Sequence, residues 1–276
     1  MNCNSLGEKL LFTVVRLEGK TTNGTSVGTG FLYEYKNRLF LVTNKHVVNG
    51  VLDGYYTMMR ADTTEEFWNP IIGQGVKFNF KASDFIGHPD TKVDVAVANI
   101  SLKVGEAKEE GNPVYCLRVD NSIIPTEEQV EKFISPLEEI IFIGYPNGIW
   151  DFQNLLPIIR KGITATPYYY DFLGEKKFLI DASVFPGSSG SPVFIYYSGG
   201  YPDKMGNLYD GNRIFFLGIV AQTYQKDEEG EIHIKKLPVV EIPVAISKQM
   251  IDLGIVFKAS TIIETMDYYL KIAKEQ

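Results

Sequence analysis

Short apolar runs, each closed by turn-forming residues, recur along the whole chain. Pairs such as Asn23-Gly24 and Asn147-Gly148 lie between the runs, and such pairs favour the tight turns of β-hairpins. This rhythm predicts an all-β protein folded as two small barrels. The predicted strands cover residues 26–35, 39–43, 55–60, 76–80, 93–100, 114–119, 140–144, 177–182, 193–197 and 214–223.

Two segments depart from the strand pattern and predict helices. Thr126 and Gln129 have the spacing of a capping box, which indicates a short helix between the barrels. Thr261 and Glu264 have the same spacing ahead of apolar residues at helical intervals, which predicts a C-terminal helix. The predicted units are a first barrel (1–119), a linker (120–137), a second barrel (138–257) and a terminal helix (258–276).

Composition narrows the classes of partner. The chain has 276 residues, of which 45% are hydrophobic, so it can bury a sizeable core. Its net charge is −7 and no dense cluster of lysine and arginine is present, so we expect no nucleic-acid partner. The three histidines are far apart and the two cysteines lack CxxC spacing, so we expect no metal and no cofactor.

The cysteines and the N-terminus indicate a compartment. Cys3 and Cys116 could form at most one disulfide, which fits a reducing environment. The first apolar run, residues 10–15, is short and is followed by Arg16, unlike a signal peptide. No run approaches the roughly 20 apolar residues of a membrane span. We therefore expect a soluble, cytoplasmic protein with no membrane partner.

The most informative stretch is residues 187–192, Gly-Ser-Ser-Gly-Ser-Pro, which comes just before a strand. A hydroxyl on a tight glycine-flanked turn can meet a carbonyl carbon while backbone N–H groups of the turn face the developing oxyanion. Such a serine needs a base, and the chain offers His46, His88 and His233. His46 lies just past an apolar strand, and Asp94, inside another apolar strand, could orient its imidazole.

Three motifs together carry a resemblance to a known family. Residues 43–48 (Thr-Asn-Lys-His-Val-Val), 94–97 (Asp-Val-Ala-Val) and 187–192 resemble the trypsin/chymotrypsin superfamily of serine peptidases, in the order His, Asp, Ser. The match is closer to the bacterial HtrA-like branch than to digestive trypsins. Supporting segments are residues 28–32, 143–146, 160–165, 180–183 and 217–221.

The resemblance implies two six-stranded antiparallel β-barrels and a serine endopeptidase. By that likeness Ser189 would attack the carbonyl, His46 would carry the proton and Asp94 would orient His46. The backbone N–H groups of Gly187 and Ser189 would form the oxyanion hole. The substrate would be a protein or peptide, and a regulatory protein partner is compatible with the motifs.

Two departures from the digestive enzymes concern activation and specificity. Ser188 replaces the aspartate that precedes the serine in those enzymes, so activation by trimming of the N-terminus is not expected. Ser183 replaces the acid at the base of the trypsin pocket, so selection of Lys or Arg is not expected. With Ala221, Gln222 and Thr223 on the pocket wall, the resemblance implies a small or medium apolar residue at P1.

Two other functions remain open at this level. The same three residues could belong to a latent protease-fold binding module whose oxyanion loop forms only when a partner docks. An α/β-hydrolase esterase could use Ser189, Asp227 and His233, but Ser191 stands where that motif needs glycine, and alternating helices are missing. Because the sequence ends with the predicted terminal helix, we expect no PDZ domain, and we expect substrate choice to reside in loops of the catalytic unit or in a separate protein.

Overall fold

The structure, a computed structural model, describes residues 5–64, 67–223 and 252–275. Strands dominate it, which confirms the all-β fold class. The helices are α1 (Leu6–Leu10), α2 (Lys45–Val48), α3 (Ser101–Glu109), α4 (Glu127–Phe133) and α5 (Ala259–Glu275). The strands are β1 (Val14–Thr21), β2 (Gly24–Tyr35), β3 (Arg38–Thr43), β4 (Asp53–Asp62), β5 (Asn69–Phe80), β6 (Ile86–Gly87), β7 (Ala96–Asn99), β8 (Glu139–Gly144), β9 (Ile158–Thr164), β10 (Lys177–Asp181), β11 (Pro192–Tyr197), β12 (Gly200–Pro202), β13 (Leu208–Asp210), β14 (Arg213–Thr223) and β15 (Leu253–Lys258).

The first half of the chain forms one antiparallel sheet in the order β5-β4-β1-β2-β3-β7-β6. It has seven strands where the resemblance implied six, because the two-residue β6 pairs with Val97 and Ala96 of β7. Lys36 and Asn37 both have positive φ in the two-residue turn between β2 and β3, as a tight hairpin requires. Five consecutive residues of β3 are buried, so this strand crosses the centre of the sheet.

The second half forms a closed barrel in the order β10-β15-β14-β11-β8-β9. Its interior is filled by alternating apolar side chains, which include the fully buried Phe142, Phe178 and Leu217. Strands β12 and β13 form a small separate sheet. A closed barrel leaves no exposed strand edges and gives the loops at its ends a rigid base.

One apolar cluster joins the sheet, the barrel and α5. Phe31 of β2 lies edge to face on Phe216 of β14, with ring centroids 5.5 Å apart. Ile262 and Met266 of α5 are fully buried in the same cluster. Each fully buried side chain of this size contributes about 2 kcal/mol of transfer free energy, so the cluster strongly favours docking of the two halves.

One capping prediction is confirmed and the other is wrong. Helix α4 begins after Thr126, whose side chain accepts the Gln129 N–H while the Gln129 side chain accepts the Thr126 N–H. Helix α5 already begins at Ala259, so Thr261 lies in its first turn and donates to the Lys258 carbonyl at 2.8 Å. Glu264 instead pairs with side chains from outside the helix.

Several elements differ from the pattern along the chain. Residues 114–119 form only isolated bridges, between Val114 and Arg60 and between Val119 and Tyr33. Strand β7 is shorter than residues 93–100, since it begins after Asp94. The sequence pattern does not predict strands β1, β6, β9, β12, β13 and β15 or helices α1, α2 and α3. Across the described residues, no helix is both long and apolar enough to span a bilayer.

Candidate active site

His46 lies where the buried strand β3 gives way to the short helix α2. Asn44 comes first, with an extended backbone, and its side-chain amide donates to the Asp94 carbonyl oxygen at 2.6 Å. This bond ties the end of β3 to the segment that precedes β7. The His46 side chain is 48% exposed, so its ring faces solvent rather than the core.

Asp94 holds His46 through both of its carboxylate oxygens. Oδ2 lies 2.5 Å from His46 Nδ1, and Oδ1 accepts the His46 backbone N–H at 3.1 Å. Because an ionised carboxylate can only accept, Nδ1 must carry a proton, and in the neutral ring Nε2 then has the lone pair. The imidazole is therefore fixed in the tautomer of a general base.

Lys45 and Asp90 support this pair from the side. The Lys45 ammonium donates to the Asp90 carbonyl oxygen at 2.9 Å. Burial lowers the pKa of Lys45, and the charges of Asp94 and Asp90 oppose that shift. Lys45 thus links helix α2 to the segment that precedes Asp94.

The Ser189 hydroxyl does not donate to His46 in this structure. It lies 2.7 Å from the Ala221 carbonyl oxygen, and since a carbonyl can only accept, the hydroxyl must be the donor. Within the described ranges no hydrogen bond joins Ser189 to His46. A hydrogen bond from Ser189 to His46 would therefore require rotation of the Ser189 side chain away from Ala221.

Thr29 of β2 links the serine loop (residues 187–191) to the end of β3, which precedes His46. Its N–H donates to the Ser189 carbonyl at 2.9 Å, and its hydroxyl donates to the Gly187 carbonyl at 2.9 Å. The Thr29 carbonyl accepts the hydroxyl of Thr43 at 2.7 Å, and Thr43 comes three residues before His46 in the chain. The sequence did not single out Thr29, although it lies in the Gly28–Gly30 segment that supported the resemblance.

The backbone N–H groups of Gly187 and Ser189 are free to bind an anion. The Pro186 carbonyl accepts the Asn147 N–H at 2.5 Å. In a trans peptide the N–H points opposite to the carbonyl, so the Gly187 N–H faces away from Asn147. In the part of the chain that the structure describes, neither N–H has an acceptor, which is the condition that an oxyanion hole requires.

Arg16 supports the turn that holds Pro186. Its guanidinium lies 5.5 Å from the ring centroid of Trp150 and pairs with Glu18. A side chain at Gly148 would come within 3.4 Å of Arg16 Nη2, so the turn after Asn147 packs closely on the guanidinium. Burial lowers the pKa of Arg16, but an arginine remains cationic at neutral pH.

Gly190→Ala is expected to disrupt the serine loop. Gly190 has φ of +91°, and an added Cβ would lie 1.8 Å from the Thr29 carbonyl oxygen. A positive φ alone costs an alanine about 1–2 kcal/mol, and the overlap with backbone raises the total to about 4 kcal/mol. Urea unfolding of the variant measures this loss.

Gly199→Ala is the matched control for that variant. Gly199 has a similar φ of +86°, but nothing lies within 4 Å of an added Cβ. We expect this variant to lose only the cost of the positive φ, about 1–2 kcal/mol. Equal losses in the two variants would contradict the close contact between Gly190 and Thr29.

The residues assigned to the specificity pocket lie on two segments. Ser183 is partly exposed and follows β10, and Ala221 is buried in β14. Gln222 and Thr223 continue β14, with a register shift between Val220 and Gln222 where it pairs with β15. Asp227 and His233 of the esterase alternative, and Cys3, lie outside the described residues. Among the residues the structure describes, Cys116 is a free thiol and no group of three metal-ligating side chains converges.

Comparison with known proteins decides the family. Residues 28–200 match the family described as the trypsin-like peptidase domain. The match covers well over half of the chain and includes His46, Asp94 and Ser189. The chain belongs to the trypsin-like peptidase family. Membership in this family supports a protease, and it confirms the resemblance seen in the sequence motifs.

Solved HtrA-type proteases share the fold of this trypsin-like peptidase domain. The serine endoprotease from Yersinia pestis matches with a TM-score of 0.51 and 16% identity over 95% of this chain and 64% of that one. The HtrA-type protease AlgWS227A with a tripeptide matches with a TM-score of 0.51 and 15% identity over 94% of this chain and 60% of that one. The chain thus spans 64% and 60% of the lengths of these two proteins. No curated protein matches the sequence.

Proposed function

We propose that this trypsin-like peptidase domain is a serine endopeptidase that cleaves peptide bonds through an acyl-enzyme intermediate. The observation that carries the proposal is the double contact of Asp94 with His46, which places the proton of the neutral ring on Nδ1 and its lone pair on Nε2. Ser189 lies in the serine loop, which Thr29 of β2 holds by two hydrogen bonds. A nucleophile, a base and an orienting acid are the groups that acyl transfer needs.

The proposed reaction uses these groups in two halves. Ser189 rotates from Ala221, gives its proton to His46 Nε2 and forms a bond to the substrate carbonyl carbon. The carbonyl oxygen becomes an oxyanion that the Gly187 and Ser189 N–H groups stabilise. The His46 proton then passes to the departing amine as the peptide C–N bond breaks. Water repeats the sequence on the acyl-enzyme and releases the acid and Ser189.

A latent binding module is the second candidate, and one observation favours it. The Ser189 hydroxyl donates to Ala221 rather than to His46, as in a site that is not engaged. The free N–H groups of Gly187 and Ser189 support the peptidase, because a latent module is expected to have a collapsed oxyanion loop. One side-chain rotation separates the two arrangements of Ser189, which is a small change.

Labelling with a fluorophosphonate probe tests the proposed function. The probe phosphonylates an activated serine and loses fluoride, so we expect one adduct that peptide mapping assigns to Ser189. His46→Ala is expected to reduce labelling greatly because the base is removed. An adduct on another serine would favour the esterase. No adduct at any pH, with or without added peptides, would favour the binding module.

A further inference from the structure

His88 is a buried histidine that the proposed reaction does not use. Its side chain is 7% exposed and lies between the segment that carries Asp94 and helix α5. The His88 backbone N–H donates to the Val95 carbonyl at 2.8 Å, so His88 closes one end of the segment that contains Asp94. We call residues 88–95 the acid loop.

The hydrogen bonds of His88 define its protonation state. The Asp90 backbone N–H donates to Nδ1 at 3.0 Å, and a backbone N–H cannot accept, so Nδ1 must be unprotonated. The proton of the neutral ring is then on Nε2, which lies 3.3 Å from Glu264 Oε2. His88 is therefore neutral and donates to a carboxylate of α5.

Asp90 connects His88 to the segments that carry Asp94 and His46. Its carbonyl accepts both the Val93 N–H at 3.2 Å and the Lys45 ammonium at 2.9 Å. Its carboxylate accepts the Lys92 N–H at 2.9 Å. The turn before Asp94 and the residue before His46 both depend on the backbone of Asp90. A displacement of Asp90 would shift the acid and the base relative to each other.

Glu264 connects the acid loop to the half of the chain that carries Ser189. Its second oxygen, Oε1, accepts the Lys176 ammonium at 2.7 Å, and Lys176 immediately precedes β10 of the barrel. Lys176 also accepts the Lys258 N–H through its carbonyl at 3.0 Å, which fixes it beside the end of β15. The contacts of Glu264 with His88 and with Lys176 thus join the acid loop, α5 and the barrel.

We propose that neutral His88 is a positioning residue that holds the acid loop against α5 and so keeps Asp94 and His46 aligned with the serine loop. The effect on activity rests on the proposed function, whereas the protonation state of His88 does not. His88 touches no substrate, so it acts through Asp90 and Asp94 only.

Protonation of His88 would break this arrangement. A proton on Nδ1 would face the Asp90 N–H, and two donors repel at hydrogen-bond distance. The charged and titratable groups around the ring are Glu264 on α5, Lys176 before β10, and Asp90, whose carboxylate faces the Lys92 N–H. Lys45 of α2 meets the same loop through the Asp90 carbonyl.

Nitrogen-15 NMR of the histidine rings tests the protonation state directly. In the full chain at neutral pH, we expect His88 to have a protonated Nε2 and an unprotonated Nδ1, with Nδ1 in a hydrogen bond. The His88 ring signals are absent from the spectrum of the His88→Asn variant, and this absence assigns them in the spectrum of the unsubstituted protein. A ring protonated on Nδ1, or on both nitrogens at neutral pH, would overturn the proposal whether or not the protein is active.

Kinetics of fluorophosphonate labelling test the positioning role. His88→Leu removes both ring contacts, and we expect the maximal labelling rate to fall about 10-fold to 100-fold with little change in probe affinity, because a displacement of about 1 Å suffices for such a loss. His88→Asn keeps an acceptor for the Asp90 N–H and is expected to stay within about threefold of the unsubstituted protein. Thr91→Ala, on the same exposed loop, is the matched control. A His88→Leu variant that is folded and labels at the normal rate would overturn the proposal.

One test of the proposal does not depend on whether His88→Leu folds. The ring-nitrogen signals of His88 in the unsubstituted protein are such a test, because they are read without any substitution at His88. A ring protonated on Nδ1 would contradict the role of His88. If the unsubstituted protein does not label at all, the proposed function fails, while the NMR result still decides the state of His88.

Discussion

Ser189→Ala is expected to lower the rate of peptide hydrolysis by about six orders of magnitude. The hydroxyl forms the covalent intermediate, and the remaining groups cannot replace it, so the loss equals that of the whole catalytic unit. Residual hydrolysis above the rate in water would come from the Gly187 and Ser189 N–H groups, which are backbone and survive the change. Hydrolysis of a peptide library, followed by mass spectrometry, measures both rates.

Ser191→Ala is the matched control for that experiment. Ser191 lies two residues away in the same loop, is fully buried, and its hydroxyl has no hydrogen-bond partner within the described residues. Removing a buried, unpaired hydroxyl removes a desolvation cost, so stability should stay the same or rise slightly. We expect normal activity from this variant. Loss of activity in Ser191→Ala but not in Ser189→Ala would show that the nucleophile is assigned wrongly.

Local patterns predicted the parts of the fold that depend on neighbouring residues. The capping box of α4 is of this kind, because its stabilising contacts lie within a few residues, and the apolar run of β3 is visible in the sequence although distant strands bury it. Helix α3 was missed because only Ala107 is buried, so its apolar positions make no stripe. Its nine residues are held by contacts with the sheet that no local pattern records.

The two predicted capping boxes show that residue spacing alone does not determine whether a cap forms. Thr126 with Gln129 and Thr261 with Glu264 have the same spacing, and only the first pair caps a helix. Glu264 is instead held by His88 and Lys176, which lie 176 and 88 residues away in the chain. A tertiary hydrogen bond from His88 and an ion pair with Lys176 therefore occupy the carboxylate that a capping box would use, and such a cap has a net contribution of only about 1 kcal/mol.

Motifs in the sequence predicted which residues form the candidate site, but they did not predict the hydrogen bond that the Ser189 hydroxyl makes. His46 and Asp94 could be paired because each residue type needs the other at the end of an apolar strand. The acceptor of the Ser189 hydroxyl is a backbone carbonyl, that of Ala221, and every residue has such a carbonyl. No side-chain pattern distinguishes that carbonyl from its neighbours, so only the three-dimensional structure identifies it.

Asp94→Asn is expected to lower the maximal rate of labelling at Ser189 by about 10⁴-fold without unfolding the protein. The carboxylate accepts two N–H groups of His46, one from the backbone and one from Nδ1. An amide has one acceptor oxygen, and the backbone N–H cannot give up its proton. The amide oxygen therefore stays on the backbone and its NH₂ group faces Nδ1. The ring proton moves to Nε2, where the base needs a lone pair.

Asp90→Asn separates this effect from a simple loss of charge beside His46. Its side-chain oxygen accepts only the Lys92 N–H, which an amide oxygen also accepts, so the loop is expected to keep its shape and the labelling rate to change less than about threefold. Nitrogen-15 NMR of His46 then completes the comparison: Asp94→Asn should move the proton from Nδ1 to Nε2, and Asp90→Asn should not. A normal labelling rate in Asp94→Asn, with the ring proton on Nε2, would mean that His46 is not the base, because a ring in that tautomer has no lone pair to offer Ser189.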